Sequence, residues 1–166
     1  SPIYEPGLSE LMQEYMDNLT FTTDYTDAYK DAEVIFIGVG TPEKSDGSAN
    51  LSFVYQVAKQ IARTAERDCV VVPIGTNDKI EQYIHDKQIH DCRIYVASNP
   101  EFLAQGTAVR DTLYASRIVI GTDEKYPAEV LMHVYEKFDA PKINVGRRSA
   151  EMIKYASNDF LALKIS

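Results

Sequence analysis

Three stretches carry side chains whose types and spacing suit chemistry. EMIKYASNDFLALKIS, at the end of the chain, sets Lys154 and Asn158 in an otherwise apolar helical run. Four residues apart, an ammonium and an amide lie one above the other on a helix face. Leu161 and Ile165 extend that stripe, so the face is expected to be covered rather than wet. Lysine is rarely fully buried unless it is paired. Two roles suit the pair. Lys154 snorkels to solvent beside a satisfied core amide, or the two residues clamp an oxyanion or alkoxide, where one well-placed donor is worth roughly 3 kcal/mol in a transition state.

The second stretch is SNPEFLAQGTAVRD. Glu101 follows Asn99-Pro100 directly after an apolar strand, as a solvated loop carboxylate or as a base that positions water. Gln105 lies four residues on and shares the rim if the segment is helical. The third is GVGTP, where Gly40 lets backbone approach a ligand and Thr41 offers a hydroxyl; Gly-Thr-Pro also simply ends strands. No G-x-G-x-x-G fingerprint opens a helix anywhere, because GVG runs into Thr-Pro and a loop.

The elements that must position these residues alternate along the chain. YEPGLSELMQEYM is a Pro6-Gly7 turn followed by an amphipathic helix. LTFTTD alternates and is β-rich, which predicts a short strand, and YTDAYKDA a brief helix. EVIFIGVGTP is a nearly continuous apolar run, the mark of a strand covered on both faces. LSFVYQVAKQIARTA is helical, with Asn50 as its expected cap. CVVV is a strand, PIGTND a turn into the helix KIEQYIHDKQI, and RIYVAS the next strand. RIVIGTD and KINV are strands flanking the helix PAEVLMHVYEKF, and a final helix begins near Ser149. This order predicts an α/β, Rossmann-like, mostly parallel sheet with helices on both faces. Ligands of such sheets gather beyond the carboxyl ends of the strands, where Glu101 and Thr41 both fall.

The chain has 166 residues, enough for one domain. Its 45% hydrophobic and 25% charged content is that of an ordinary globular protein. A formal charge of −8 argues against general nucleic-acid or anionic-membrane binding. No apolar run approaches the roughly 20 residues of a membrane span, and no signal peptide is visible. Cys69 and Cys92 lack metal spacing and read as buried or half-buried thiols beside strands, which points to a reducing, cytoplasmic setting. His85, His90 and His133 read as surface residues, and no metal is expected.

PIYEPGL, VIFIGVGTP, DGSANLSFV, PIGTND, SNPEFLAQGTA and SAEMIKYASNDFLALKIS together resemble the UDP-glucose/GDP-mannose dehydrogenase family, in family order and over essentially the whole chain. Within it the wording is closest to the UDP-glucose 6-dehydrogenases. The resemblance implies oxidation of a UDP-sugar C6 alcohol to a carboxylate by two hydride transfers to NAD. A cysteine in a later domain would hold the intermediate, and Cys69 and Cys92 do not stand in that motif. By the same resemblance, Glu101 helps activate the hydrolytic water. The backbone around Phe102 and Leu103 contacts the sugar nucleotide, Lys154 stabilises the developing oxyanion, and Asn158 holds substrate or water. Val39, Gly40 and Thr41 line the NAD site, as does Gln105, which stands where many relatives have a carboxylate. The same chemistry on UDP-N-acetylmannosamine or GDP-mannose, or a non-catalytic nucleotide-sugar or NAD module, is the alternative.

The chain also departs from the family. It begins as though after the first βαβ unit, so residues 1–148 are expected to be an NAD-binding domain lacking that unit. Residues 149–166 are expected to start the central inter-domain helix, through which a homodimer would form. Several residues, a Ser-Thr pair among them, are expected between Val72 and Pro73. NVGRRSAE lacks the aspartate usual before the last helix.

Overall fold

A computed structural model describes residues 4–73 and 77–165, with Ile165 described by its backbone alone. Residues 74–76 of the PIGTND turn and the place of Ile165 on the helix stripe therefore lie outside the described residues.

The strongest local determinant is CVVV, which forms β2 (Cys69–Val72) with all four residues buried. β1 (Val34–Phe36) and β3 (Ile94–Val96) flank it in parallel, with Val34 opposite Val70 and Val70 opposite Tyr95. Because side chains alternate across a strand, β2 feeds two cores. Cys69 and Val71 join Ile35, Ile37, Ile94 and Val96 on one face. Val70 and Val72 join Tyr95, Ala97, Ile118, Ile120 and Leu131 on the other.

The first face is covered by α3 (Ser52–Thr64) and α4 (Asn77–Lys87). Val54, Ala58 and Ile61 recur at helical spacing in α3 and are fully buried, each large side chain worth roughly 1.5–3 kcal/mol in transfer from water. Asn50 acts just outside this helix: its side-chain oxygen accepts the Ser52 N–H at 3.0 Å, while Leu51 occupies the cap position. The second face is covered by α6 (Lys125–Val134), which links β4 (Ile118–Gly121) to β5 (Lys142–Val145), a parallel pair. Three smaller helices, α1 (Leu8–Glu14), α2 (Tyr25–Tyr29) and α5 (Ala108–Leu113), bury no residue. The chain is thus α/β, with parallel strands, helices on both faces, and a long closing helix, α7 (Arg147–Ile165).

Two local expectations fail for physical reasons. LTFTTD is irregular, with Phe21 70% exposed; β-propensity needs a ladder partner, and no strand pairs with it among the described residues. EVIFIGVGTP is covered completely on one face only. Ile35 and Ile37 are buried there; on the other face Val34 packs against the second core, but Phe36 is 50% exposed and lines an open cavity.

One crossing fixes the site. Gly121 and Ser98 exchange backbone hydrogen bonds of 2.8 and 2.7 Å, an antiparallel bridge joining the two parallel groups of strands. A Cβ added to Gly121 would fall 2.3 Å from the Ala150 Cβ and 3.0 Å from that of Ser98. Glycine is needed here for close approach, since it lets α7 lie directly on β4. Gly121→Ala should force the helix outward and lower stability by roughly 1–3 kcal/mol, read from the urea midpoint; a midpoint within error of wild type would show the contact to be slack.

Candidate functional site

The third residue after β3 (Ile94–Val96) decides where the acidic group goes. Asn99 is locked at both ends of its amide: its Nδ2 donates to the Val119 carbonyl at 2.8 Å, and its Oδ1 accepts from the Tyr135 hydroxyl at 2.5 Å. Burial pushes the Tyr135 phenol up, so it stays a protonated donor. With Asn99 fixed and Pro100 restricting the chain, Glu101 emerges at the carboxyl end of β3. Its carboxylate Oε2 lies 2.7 Å from the Lys154 ammonium. Lys154 donates to the Glu101 main-chain carbonyl as well.

The pair is 53 residues apart in sequence and meets across the sheet–helix junction. The Glu101 side chain is 55% exposed and that of Lys154 28%. At such exposure an ion pair contributes only about 0–1 kcal/mol to stability. The arrangement therefore fixes geometry far more than it holds the fold. A cavity of about 210 Å³ opens beside it, bounded by Ser98, Asn99, Glu101, Glu151, Lys154 and Asn158. Asn158 is exposed on the same wall, one helical turn beyond Lys154.

Phe102 lies on the other side of Glu101. The Arg117 guanidinium sits 4.5 Å and the Lys154 ammonium 5.7 Å from its ring centroid, within reach of cation–π attraction. Arg117 also donates to the Ser157 hydroxyl of α7 at 3.2 Å. Phe102 and Leu103 line a second cavity of about 530 Å³ with Phe36, Gly38, Tyr135 and Phe138. Leu103 directs its N–H to Glu101 Oε2 at 3.3 Å.

The structure thus brings Glu101, Lys154 and Asn158 together and sets Phe102 and Leu103 against them. It does not bring Gln105 to that rim. Residues 101–104 are irregular and Gln105 starts a turn, so the helical condition is not met. Val39, Gly40 and Thr41 follow β1 and line neither cavity. They do stand beyond the carboxyl ends of the parallel strands, where an added Cβ at Gly38 or Gly40 would meet nothing within 4 Å. The covered stripe expected on α7 is also not found: Asn158 is exposed and Leu161, on the same stripe, is 57% exposed.

Some structural partners gave no sequence signal. Arg147, in the stretch where an acidic residue was expected, is largely enclosed and donates to Asp78, Glu81 and the Val96 carbonyl at 2.9, 2.8 and 3.1 Å. Glu151 accepts the Asn77 N–H at 3.1 Å. Both tie α7 to the start of α4. Arg117 and Asn99 likewise read as ordinary strand-flanking residues, although Asn99 beside Pro100 was visible in the SNPEF word. Burial pushes the Cys69 thiol up to about 12, which leaves it without thiolate character near neutrality. His85 and His133 are exposed and His90 half-buried. Among the described residues no acidic, His or Cys cluster could hold a metal, and no helix is long and apolar enough to cross a membrane.

Parallel strands with helices on both faces, and a lysine–carboxylate pair at the sheet–helix junction beyond the strand ends, define a Rossmann-like α/β domain. Residues 1–139 match the NAD binding domain of the UDP-glucose/GDP-mannose dehydrogenase family. The chain is 49% identical to the UDP-glucose 6-dehydrogenase YwqF of Bacillus subtilis, over 100% of its own length and 39% of that protein. It is 43% identical to a UDP-glucose 6-dehydrogenase of Pseudomonas aeruginosa, over 99% and 39%. Among solved structures it resembles a UDP-glucose dehydrogenase from Pyrobaculum islandicum, with a TM-score of 0.90, 38% identity, and coverage of 98% of this chain and 40% of that one. A GDP-mannose dehydrogenase from Pseudomonas aeruginosa superposes with a TM-score of 0.87 at 35% identity, covering 99% and 41%. This chain belongs to the UDP-glucose/GDP-mannose dehydrogenase family and is an NAD-binding domain of it. It spans about two fifths of the length of these relatives.

The ion pairs at the base of α7 carry a pH signature. The Arg148 hydrogen bond, with Arg147 beside it, holds the Asp78 carboxyl below its ordinary 3.8. A carboxyl lowered by folding adds stability that is complete above its unfolded value and is lost as pH falls through the folded one. The urea midpoint of wild type should exceed that of Asp78→Asn near neutrality, and the gap should close below about pH 4. A gap constant from neutral to acid pH would remove Asp78 as its source.

Proposed function

We propose that the full-length protein carrying this chain oxidises the C6 alcohol of UDP-glucose to the carboxylate of UDP-glucuronate. The observation that carries this reading is the 2.7 Å approach of Lys154 to Glu101 beside a small cavity with Asn158 on its wall. The overall conversion takes one alcohol, one water and two NAD⁺ to a carboxylate, two NADH and three protons. NAD supplies the hydride acceptor, and Val39, Gly40 and Thr41, with Gln105 from the turn after Leu103, would hold it.

Lys154 places a positive charge where the C6 oxygen becomes an alkoxide, and later where a tetrahedral oxyanion develops. Such a preorganised donor is worth far more in a water-poor cleft than in bulk solvent. Glu101 keeps Lys154 aimed and presents a carboxylate to the water that hydrolyses the second intermediate. Asn158, one turn further along α7, orients the sugar or that water. The backbone at Phe102 and Leu103 faces the nucleotide portion.

On this reading residues 1–148 form the NAD-binding part and residues 149–166 begin the helix leading to the remainder of the enzyme. The exposed Phe160, Leu161 and Leu163 suit a homodimer formed through α7. A cytoplasmic setting suits the soluble cofactor and substrate. GDP-mannose is the second candidate substrate, favoured by the 35% identity to a GDP-mannose dehydrogenase over nearly the whole chain. UDP-N-acetylmannosamine, and a module that binds without turnover, are the other outcomes.

In the full-length protein, NADH formation should be fastest with UDP-glucose among these sugars. Lys154→Ala and Glu101→Gln should each lower kcat by about 100-fold or more with smaller changes in KM. Wild-type kcat in either variant would remove the assigned role. Leu163→Glu should shift the full-length protein from dimer to monomer in sedimentation; an unchanged dimer would place the interface elsewhere.

A further inference from the structure

The loop between Leu103 and Ala108 shows a pattern that the proposed chemistry does not use. Its main-chain N–H groups at residues 103, 104, 106 and 108 each end on a carboxylate. Leu103 donates to Glu101 at 3.3 Å, and Ala104 to Asp111 at 3.3 Å. Gly106 donates to Glu5 Oε1 at 2.9 Å and Ala108 to Glu5 Oε2 at 3.3 Å. Glu101 and Asp111 are local. Glu5 comes from the far end of the chain, 101 and 103 residues away.

Glu5 is itself well placed. Its main-chain carbonyl accepts the Leu8 N–H at 3.1 Å, closing the turn at Pro6 and Gly7. Gly7 holds φ +82°, and a Cβ there would meet the Val109 side chain at 3.7 Å, in ordinary contact. Helix α1 has no fully buried residue, only Leu8, Leu11 and Met12 half-buried. The two-oxygen grip of Glu5 adds the directional tie between this turn and the start of α5.

The loop needs such a grip. Gly106 adopts φ +87°, and Thr107 closes a tight turn onto the Ala104 carbonyl at 3.2 Å. A turn of this shape leaves the Gly106 and Ala108 N–H groups outside any helix or strand ladder, where water or a side chain must satisfy them. Asp111 secures the other half through Ala104 and through the Thr107 hydroxyl at 2.6 Å, a hydrogen bond that holds its carboxyl below the ordinary range. Without Glu5, only the Asp111 side of the turn stays pinned.

We propose that Glu5 is a positioning residue that sets the backbone of the Phe102–Ala108 segment for ligand. It does so by fastening Gly106 and Ala108 from outside. The consequence for ligand rests on the reading that this segment faces the sugar nucleotide and the cofactor. Glu5 touches neither. Its loss should weaken binding and leave the hydride-transfer machinery at Lys154 and Glu101 in place.

The test uses the full-length protein. Glu5→Gln keeps the size and one strong acceptor, so one of the two N–H groups loses its partner; Glu5→Ala frees both. Amide hydrogen exchange should accelerate over residues 104–108, more in Glu5→Ala than in Glu5→Gln, with the core strands unchanged. KM for the nucleotide sugar should rise about tenfold in Glu5→Ala, the scale of a lost hydrogen bond to a charged group, and less in Glu5→Gln, with kcat within about twofold of wild type. Unchanged exchange over 104–108 overturns the latch. Faster exchange with unchanged KM overturns its role in binding, as does a fall in thermal midpoint alone. If wild type oxidises no nucleotide sugar, the proposed function fails instead, and the exchange measurement by itself decides the latch.

Discussion

The close approach of α7 to β4 at Gly121 is the constraint on which the site depends. Ser98 and Gly121 bridge two groups of parallel strands that no other paired strands connect among the described residues. Ala150 then packs where a side chain at 121 would stand. Backbone contact of this kind leaves little freedom in the height of the helix above the sheet. Lys154, one turn beyond Ala150, is delivered to the loop leaving β3. Arg147 and Glu151 fix the rotation of the same helix by gripping the start of α4. Height and rotation together decide that an ammonium meets Glu101.

Charge is handled locally in a chain of net charge −8. Lys154 and Arg117 flank the Phe102 ring, which gives both cations an apolar support beside the cavities. Carboxylates serve as clamps for backbone: Glu5, Glu101, Asp111 and Glu151 each accept main-chain N–H groups. Such charge-assisted bonds are stronger than neutral ones, and they order loops that have little hydrophobic burial of their own. The acidic excess thus has a structural use around the site.

The elements built on period were legible. CVVV was legible as a strand, and the spacing of Val54, Ala58 and Ile61 specified a helix lying on the sheet. The placement of Glu101 beyond a strand end and the stacking of Lys154 with Asn158 also followed from spacing. LTFTTD shows where this reasoning stops. Its alternation was real, yet a strand exists only with a neighbour to hydrogen-bond. Gln105 is a similar case, because the Gly106 turn and the carboxylate clamps override any helical continuation there.

By itself the sequence determined the alternation of strands and helices, the family motifs and the residue types able to do chemistry, because these are written in local period and in short contiguous words. Tertiary structure alone decided that Arg117 lies over Phe102, that Arg147 anchors the closing helix and that Glu5 grips a loop about a hundred residues away. Those pairings depend on the distance between elements and on which backbone groups lack a partner. Neither quantity exists until the chain has packed.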